Sequence, residues 1–558
     1  MKFDLLIIGS GGTGLSAALE AASQGASVAV VTKSLPTRAQ TCMAQGGINA
    51  ALGNVEPDSV EEHIADTLRS AHGLADETMV RTLCEAGPET IEWLDRMLVP
   101  FSRIDRSDQS THSPLPATRS IAQRRLGGAG HPRACYAQDY TGLKILQSLY
   151  DRCREAGVRF YTEHALLELI LSVPRQARSP MLALGERLAP RVHGALFWDI
   201  AAGELRSIQA GATLLATGGY GELYHGYTTN TTGATGDGIA AALRAGAVLS
   251  DLEFVQFHPT AMAGSAILIS ESARGAGGTL ITEEGERFTD ELAPRDEVAA
   301  AMFAQIQKGH TLYLDLRHLE RSYLEELMPQ ELRLARIHAH VDPLTEPIPV
   351  QPAVHYTMGG IDVDTRFASR GLEGLYAAGE CSNAHVHGAN RLGGNSLLEI
   401  VAFGRLAARY ALERPLSSDP AAAEATERQS AEWIDGLFAK PAEFSLYQKR
   451  KILGKRLYHD LGIVRDRELM EDAAAYLDTL LEKLPRIGLG DRSRTHNQEL
   501  VDYLAFDNAL LLAVAMTQSA LLRTESRGAH RRSDYPEEDP AWARPSRVRL
   551  ERGAIVCF

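Results

Sequence analysis

The 558-residue sequence predicts an α/β protein: a parallel nucleotide-binding sheet, interrupted by an inserted lobe and followed by a helical region. Three observations carry that prediction. Residues 3–8 form an apolar run that ends in Gly9-Ser10-Gly11-Gly12-Thr13-Gly14, the pattern of a buried strand opening into a glycine turn. Two later runs end the same way, Leu214-Leu215-Ala216-Thr217-Gly218-Gly219 and Gly374-Leu375-Tyr376-Ala377-Ala378-Gly379-Glu380. From residue 421 to about 527 the chain is rich in Ala, Leu, Glu and Arg and reads as helical.

The bulk numbers bound the function. At 60.6 kDa the chain is too long for one core, and two to four domains are expected. A net charge of −14 argues against a nucleic-acid partner, because phosphate neutralisation needs a basic face. No apolar run suggests a bilayer span, so membrane association is expected only through another subunit. The six cysteines are scattered with no C-x-x-C pair, which predicts reduced thiols and no iron–sulfur or haem ligand set. Met1-Lys2-Phe3 runs straight into the first strand, and the reading expects no leader and no N-terminal haem extension.

Along the chain, residues 14–24 are alanine-rich with helical spacing and residues 27–32 form a second strand. This strand–turn–helix–strand unit is the setting that gives G-x-G-x-x-G its meaning: a tight turn, close backbone approach, and a helix N-terminus facing a pyrophosphate. The acid that usually follows the second strand is replaced by Thr32-Lys33-Ser34, which argues against a plain NAD site. Glu380, after the third strand, is a candidate for that ribose-binding role. Residues 172–190, with three prolines and mixed charge, read as a surface excursion. Residues from about 251 to 352 mix loops, short strands and helices, as an inserted lobe would. The last thirty residues, with several prolines and arginines, read as an extended tail.

Histidines and arginines fall in loop-like segments outside the periodic elements. These are Gln256-Phe257-His258-Pro259-Thr260, Ser270-Glu271-Ser272-Ala273-Arg274-Gly275, Leu292-Ala293-Pro294-Arg295-Asp296 and His355-Tyr356-Thr357-Met358-Gly359-Gly360. With Arg391 in His387-Gly388-Ala389-Asn390-Arg391-Leu392-Gly393-Gly394-Asn395-Ser396, they offer cationic donors suited to a dicarboxylate. Each also has a plainer reading. His258 before proline reads equally as a capped turn, Arg295-Asp296 as a surface ion pair, and Glu271 with Arg274 as a helical salt bridge.

Taken in order, these segments resemble the flavoprotein subunits of succinate dehydrogenase and fumarate reductase, a family that also includes L-aspartate oxidase. The likeness runs from residue 1 to about 542. It includes Ala44-Gln45-Gly46-Gly47-Ile48-Asn49-Ala50, Tyr313-Leu314-Asp315-Leu316-Arg317-His318-Leu319 and Glu525-Ser526-Arg527-Gly528-Ala529-His530. It implies a two-part FAD-binding Rossmann-like domain (1–250 and 352–420), with an inserted α+β capping domain (251–351). A helical C-terminal domain (421–540) and a tail (541–558) follow. Hydride would pass between flavin N5 and one substrate carbon, and a proton at the adjacent carbon.

The resemblance also assigns roles. His258, His355 and Arg391 would grip the carboxylates and polarise the double bond, with Ser270 and Gly393 completing the pocket. Arg295 would donate the proton to fumarate, fed by Glu271 and Arg274. FAD would contact Gly9, Gly11, Gly12, Thr13, Gly14, Thr32, Lys33 and Ser34. Further contacts would come from Gln40, Thr41, Ala44, Gln45, Gly46, Gly47, His164, Ala165, Thr217, Gly218 and Asp237. His355, Tyr356, Glu380, Arg391, Asn395, Ser396 and Leu397 would complete the set. Partners would be an iron–sulfur subunit and a membrane anchor, placing the chain on the cytoplasmic face of a membrane.

The sequence departs from this pattern at informative points. The family's flavin-linking histidine, in R-S-H-T, is replaced in Arg38-Ala39-Gln40-Thr41, so FAD is expected to be non-covalent. A covalent link raises the flavin potential that succinate oxidation needs, and its absence tilts the expectation toward fumarate reduction. L-Aspartate oxidases carry a glutamate where Arg125-Leu126-Gly127-Gly128 has Leu126, and an ammonium beside leucine would lack a counter-charge. Ser270 stands where threonine is usual and Ala276 where glutamate is usual. A third reading is a flavin subunit that only transfers electrons; it predicts loss of the carboxylate grip.

Overall fold

The computed structural model describes residues 2–104, 121–172, 190–413 and 418–558; most of the stretch read as a surface excursion, 172–190, lies outside them. Strand Lys2–Ile8 lies between Val28–Val31 and Glu204–Leu215, parallel to both. Arg159–Tyr161 extends this parallel set at one edge, and Leu375–Ala377 joins Glu204–Leu215 in parallel. The three strand-to-glycine turns of the sequence therefore belong to one sheet. His164–Leu171 and Val192–Asp199 add an antiparallel wing.

Glycine sets how closely the helices approach this sheet. Gly9 sits at φ +111, and a Cβ there would lie 2.1 Å from the carbonyl oxygen of Ala216. A Cβ on Gly14 would lie 2.0 Å from the carbonyl oxygen of Gly9. Neither position admits a side chain, so helix Gly12–Ser23 seats directly on the sheet.

The inserted lobe is built on a four-stranded antiparallel sheet in the order Val255–Met262, Ile348–Thr357, Leu312–Asp315, Thr279–Thr282. It has its own core, including Met262, Leu280, Val298, Met302, Leu314 and Leu324. Strand Ile348–Thr357 crosses the expected 351/352 boundary unbroken, because its pairing with Val255–Met262 continues to Thr357. The lobe is thus joined to the nucleotide domain through two adjacent strands, and both carry candidate site residues.

Helices Pro420–Ala439, Leu446–Asp460, Arg467–Lys483 and Gln498–Leu522 form the C-terminal region. Two sequence expectations are corrected here. Gln498–Leu522 is long and apolar enough to cross a membrane, contrary to the apolar-run reading. However, 72% of its most apolar window is buried within the protein, and Asp507 and Asn508 on it bind Arg244, the setting of a core helix. The expected tail is also structured. Arg547–Glu551 and Ala554–Cys557 form a hairpin that pairs with Leu249–Ser250, an edge that would otherwise leave backbone groups unpaired. All six cysteines are free.

A buried ionic cluster ties this region to the start of the lobe. Arg523 donates to Glu253 at 2.6 Å and to Glu525 at 2.8 Å, and Arg527 donates to both oxygens of Glu525 at 2.8 Å. Arg531 reaches Asp296, the neighbour of Arg295, at 2.9 Å.

Candidate active site

The glycine turns line a cavity with about 1340 Å³ of atom-free space, open solvent at its mouth included. Gly9, Gly11, Gly12, Thr13, Thr32, Lys33 and Ser34 line it. So do Gln40, Thr41, Ala44, His164, Thr217, Gly218, Asp237, His355, Tyr356, Glu380, Ser396 and Leu397. Helix Gly12–Ser23 starts here with no side-chain cap at Gly11; the Gly12 amide donates to Thr41 Oγ1 at 3.0 Å, leaving the next amides of the first turn for an anion such as a pyrophosphate. Lys33 is held by Asp237 at 2.6 Å. Glu380 accepts from the Thr357 amide at 3.1 Å, and burial pushes its carboxyl up to about 7. The glycine walls and the amides left free at the start of the helix fit a dinucleotide.

Seven of the expected cofactor residues are set back from this wall. Gly14 is spent on the Gly9 contact. The Gln45 carbonyl accepts from Arg124 and Thr141, and Gly47, at φ +127, packs against Cys135 and Ala134. Ala165 pairs with Trp198 inside the sheet. Asn395 is bound by Asn49 at 2.8 Å and donates to Thr67 at 2.9 Å. Gly46 and Arg391 face the adjoining cleft instead.

That cleft gathers residues far apart in sequence. Arg295 donates through Nη2 to Glu271 Oε2 at 2.7 Å, and Arg274 donates to Glu271 Oε1 at 3.1 Å. Gln256 Oε1 accepts from both Arg295 Nη1 and Arg391 Nη2, each at 3.2 Å. Gln256 Nε2 donates to Asn390 Oδ1 and the Arg391 carbonyl, both at 2.8 Å, which fixes the amide with its oxygen toward the arginines. Arg391 also lies over the Tyr356 ring, 4.3 Å from its centroid. The His258 and His355 rings are 4.9 Å apart. Thr260 N donates to His258 Nδ1 at 3.2 Å, and the Thr229 hydroxyl bonds His355 Nδ1 at 2.8 Å.

The plainer readings hold in part: Glu271 and Arg274 do form the helical pair at 3.1 Å, and His258 Nδ1 does accept from the Thr260 amide at 3.2 Å, but none of these residues lies at the surface. Arg295 is buried, not a surface ion pair with Asp296. His258 is buried against other site residues, and the Glu271–Arg274 pair is one side of a bridge to Arg295. Gly393 lies against the same group: a Cβ there would lie 2.5 Å from Glu271 Oε2 and 3.4 Å from Arg295 Nη2 and Leu126 Cβ. A Cβ on Gly46 would lie 3.7 Å from Leu126 Cδ1 and 3.8 Å from Ser270 Oγ. Leu126, Ser270, Glu271, Arg295 and Gly393 therefore share one cleft.

Electrostatics define what this cleft accepts. Burial and then Arg295 hold both histidines well below their usual range, so they are neutral near pH 7. Burial alone would raise the Glu271 carboxyl, but the guanidiniums of Arg295 and Arg274 outweigh it and keep it ionised. Burial, followed by repulsion from Arg295, brings Arg391 down to about 10, still protonated at neutral pH. Three arginines against one glutamate leave the group at about +2, an unpaired buried charge that a dianion neutralises. The sequence reading passes over Gln256, Thr229 and Thr260. For Gln256, its spacing of two from His258 along one strand is the signal that points to it.

A glycine-walled dinucleotide cavity opening on a cationic cleft is the arrangement of a redox enzyme that passes electrons between a bound cofactor and a small anion. The family model described as FAD binding domain matches residues 4–397, and that described as Fumarate reductase flavoprotein C-term matches residues 450–554. The chain is 38% identical to the succinate dehydrogenase flavoprotein subunit of Coxiella burnetii, over 97% of this chain and 93% of that one. It is 35% identical to the fumarate reductase flavoprotein subunit of Escherichia coli, over 95% and 88%. A solved E. coli quinol fumarate reductase chain superposes with a TM-score of 0.91 at 33% identity, covering 100% of this chain and 96% of that one. The chain belongs to the succinate dehydrogenase/fumarate reductase flavoprotein subunit family and is an FAD-dependent oxidoreductase.

Proposed function

We propose that the chain reduces fumarate to succinate as its main direction, using non-covalent FAD and electrons delivered through an iron–sulfur subunit. The observation that carries the substrate reading is the +2 cleft closed by Leu126. A dicarboxylate balances that charge, whereas an amino acid would bring an ammonium next to leucine with no counter-charge.

When bound, FAD supplies the hydride that goes to one alkene carbon. Arg391 and the neutral His258 and His355 hold the carboxylates and draw electron density toward them. Arg295 places a guanidinium proton at the adjacent carbon, where negative charge develops, and stabilises that charge before the proton moves. Glu271, ionised at rest, then passes to Arg295 through Oε2 a proton that it takes through Oε1 from Arg274, which is recharged from solvent. The retained Arg295–Glu271–Arg274 bridge also speaks against a subunit that only relays electrons.

Anaerobic reoxidation tests the reading. Chemically reduced protein is expected to regain flavin absorbance on adding fumarate, while oxidised protein stays oxidised with L-aspartate. Bleaching by L-aspartate would make the chain an amino-acid oxidase.

Gln40 supports the non-covalent cofactor. Its Oε1 accepts from the Thr231 amide at 2.7 Å on the cavity wall, and a carboxamide offers no nucleophilic nitrogen for a flavin bond. Acid precipitation is expected to release all flavin into the supernatant; flavin in the pellet would refute it. The weaker driving force of an unlinked flavin favours the fumarate direction. A solved relative named as a quinol–fumarate reductase with menaquinol molecules supports a quinol as the distant electron donor, reached through the iron–sulfur and membrane-anchor subunits that the family resemblance implies.

A further inference from the structure

The seam between the capping lobe and the flavin domain holds two buried carboxyls outside the machinery described above. Asp139 follows strand Ala134–Cys135 in the flavin domain. Its Oδ2 accepts from the amides of Gln330 at 2.7 Å and Glu331 at 3.0 Å, on the lobe helix Pro329–Leu334. Glu331 Oε1 in turn accepts from the Ser270 amide at 2.9 Å. Ser270 is the N-cap of helix Glu271–Gly275, which carries Glu271 and Arg274. One continuous set of hydrogen bonds thus runs from the flavin domain, across the seam, to the helix that holds the proton-relay carboxylate.

The far oxygens of the two acids, Asp139 Oδ1 and Glu331 Oε2, are buried with no partner. So is Arg124 Nη1, on the guanidinium that acts on both acids. Arg124 with two carboxylates leaves this seam at −1, and one added proton makes it neutral. A proton also turns one orphaned acceptor into a donor, which is the cheapest repair for two buried unsatisfied oxygens.

We infer that Glu331 is a positioning residue for the substrate site, acting with Asp139 as a carboxyl pair that holds one proton across the domain seam. The inference rests on the proposed dicarboxylate site, and it assigns that site a pH-dependent closure. Burial first, and Asp139 second, push the Glu331 carboxyl up to about 8, and burial raises Asp139. The other titratable or charged groups facing the seam are Tyr136 and Tyr140 from the flavin domain, and Tyr323, Glu326 and Arg333 from the lobe.

The sign follows from linkage. An acid raised in the closed state takes up a proton on closing, so closure is fully favoured at low pH. It weakens as pH rises from the ordinary carboxyl range toward about 8, and then levels off. One proton sets a limit of about tenfold per pH unit on that weakening.

The test uses malonate, which occupies a dicarboxylate site without chemistry, titrated into the FAD-loaded protein and followed by flavin absorbance from pH 6 to 8.5. The native Kd is expected to rise with pH toward that limit and flatten above 8. Glu331→Gln, which cannot ionise, removes this slope, and Asp139→Asn reduces it. Parallel slopes in native protein and variants would overturn the inference. A second readout needs neither variant nor substrate. The amides of Ser270, Gln330 and Glu331 should lose hydrogen-exchange protection together as pH rises from 6 to 8.5, after correction for intrinsic rates. Failure of malonate to bind at any pH, with that joint loss intact, would count against the dicarboxylate site and leave the pair standing. Unchanged protection would sink the pair itself.

Discussion

Arg295→Gln is expected to lower fumarate turnover by about 10⁴-fold, combining loss of a general acid with loss of a charge at the developing carbanion. Malonate binding should weaken far less, because Arg391 and the two histidines remain. Arg295→Lys is expected to be nearly as damaging. An ammonium keeps the charge but offers its protons from a single nitrogen, so it does not reproduce the fork in which Arg295 Nη2 meets Glu271 Oε2 at 2.7 Å and Nη1 meets Gln256 Oε1 at 3.2 Å. The check is stopped-flow reoxidation by fumarate beside a malonate titration. A variant that turns over at more than about a tenth of the native rate would remove Arg295 from the proton-donor role.

Arg523→Ala is expected to cost about 3–5 kcal/mol of stability, because it leaves the Glu253 carboxylate buried without its guanidinium, while Glu525 keeps Arg527. Arg523 is fully buried and binds Glu253 and Glu525, whose side chains are equally buried. Its Nη1 and Nη2 also satisfy the carbonyls of Trp542 and Arg544. The substitution therefore loosens the C-terminal hairpin and the start of the lobe together. Scanning calorimetry of the FAD-loaded protein should show a midpoint lowered by about 3–4 °C, on the scale of about 1 °C per kcal/mol for a chain of 558 residues. A shift under about 2 °C would show that the cluster is dispensable.

How much was legible in the sequence depends on how local the physics is. The nucleotide cavity was readable because strand, glycine turn and helix fall within thirty residues, and because Gly9 and Gly14 report their own steric demands. Leu126 and Gln40 were readable only against the family pattern, since nothing local tells a leucine that it will face a substrate. The hairpin 547–557 is not legible locally, because prolines run up to it at 536, 540 and 545 and its two short strands gain their pairing from Leu249–Ser250. Gln498–Leu522 was misjudged because its central Asp507 and Asn508 interrupt the apolar pattern, yet both are answered by Arg244.

By itself, the sequence determined the sheet's glycine turns, the helical C-terminal region and the residue types available for chemistry. Those properties come from backbone sterics and side-chain identity over short spans. Only the tertiary structure decided that Arg295, Glu271, Gln256 and Arg391 meet, across separations of up to 135 residues. It also decided that Glu331 lies at Asp139 and Ser270 rather than in solvent. The physical reason is that charge, burial and pairing belong to an enclosed volume, and the chain encloses that volume only when lobe and flavin domain are packed together.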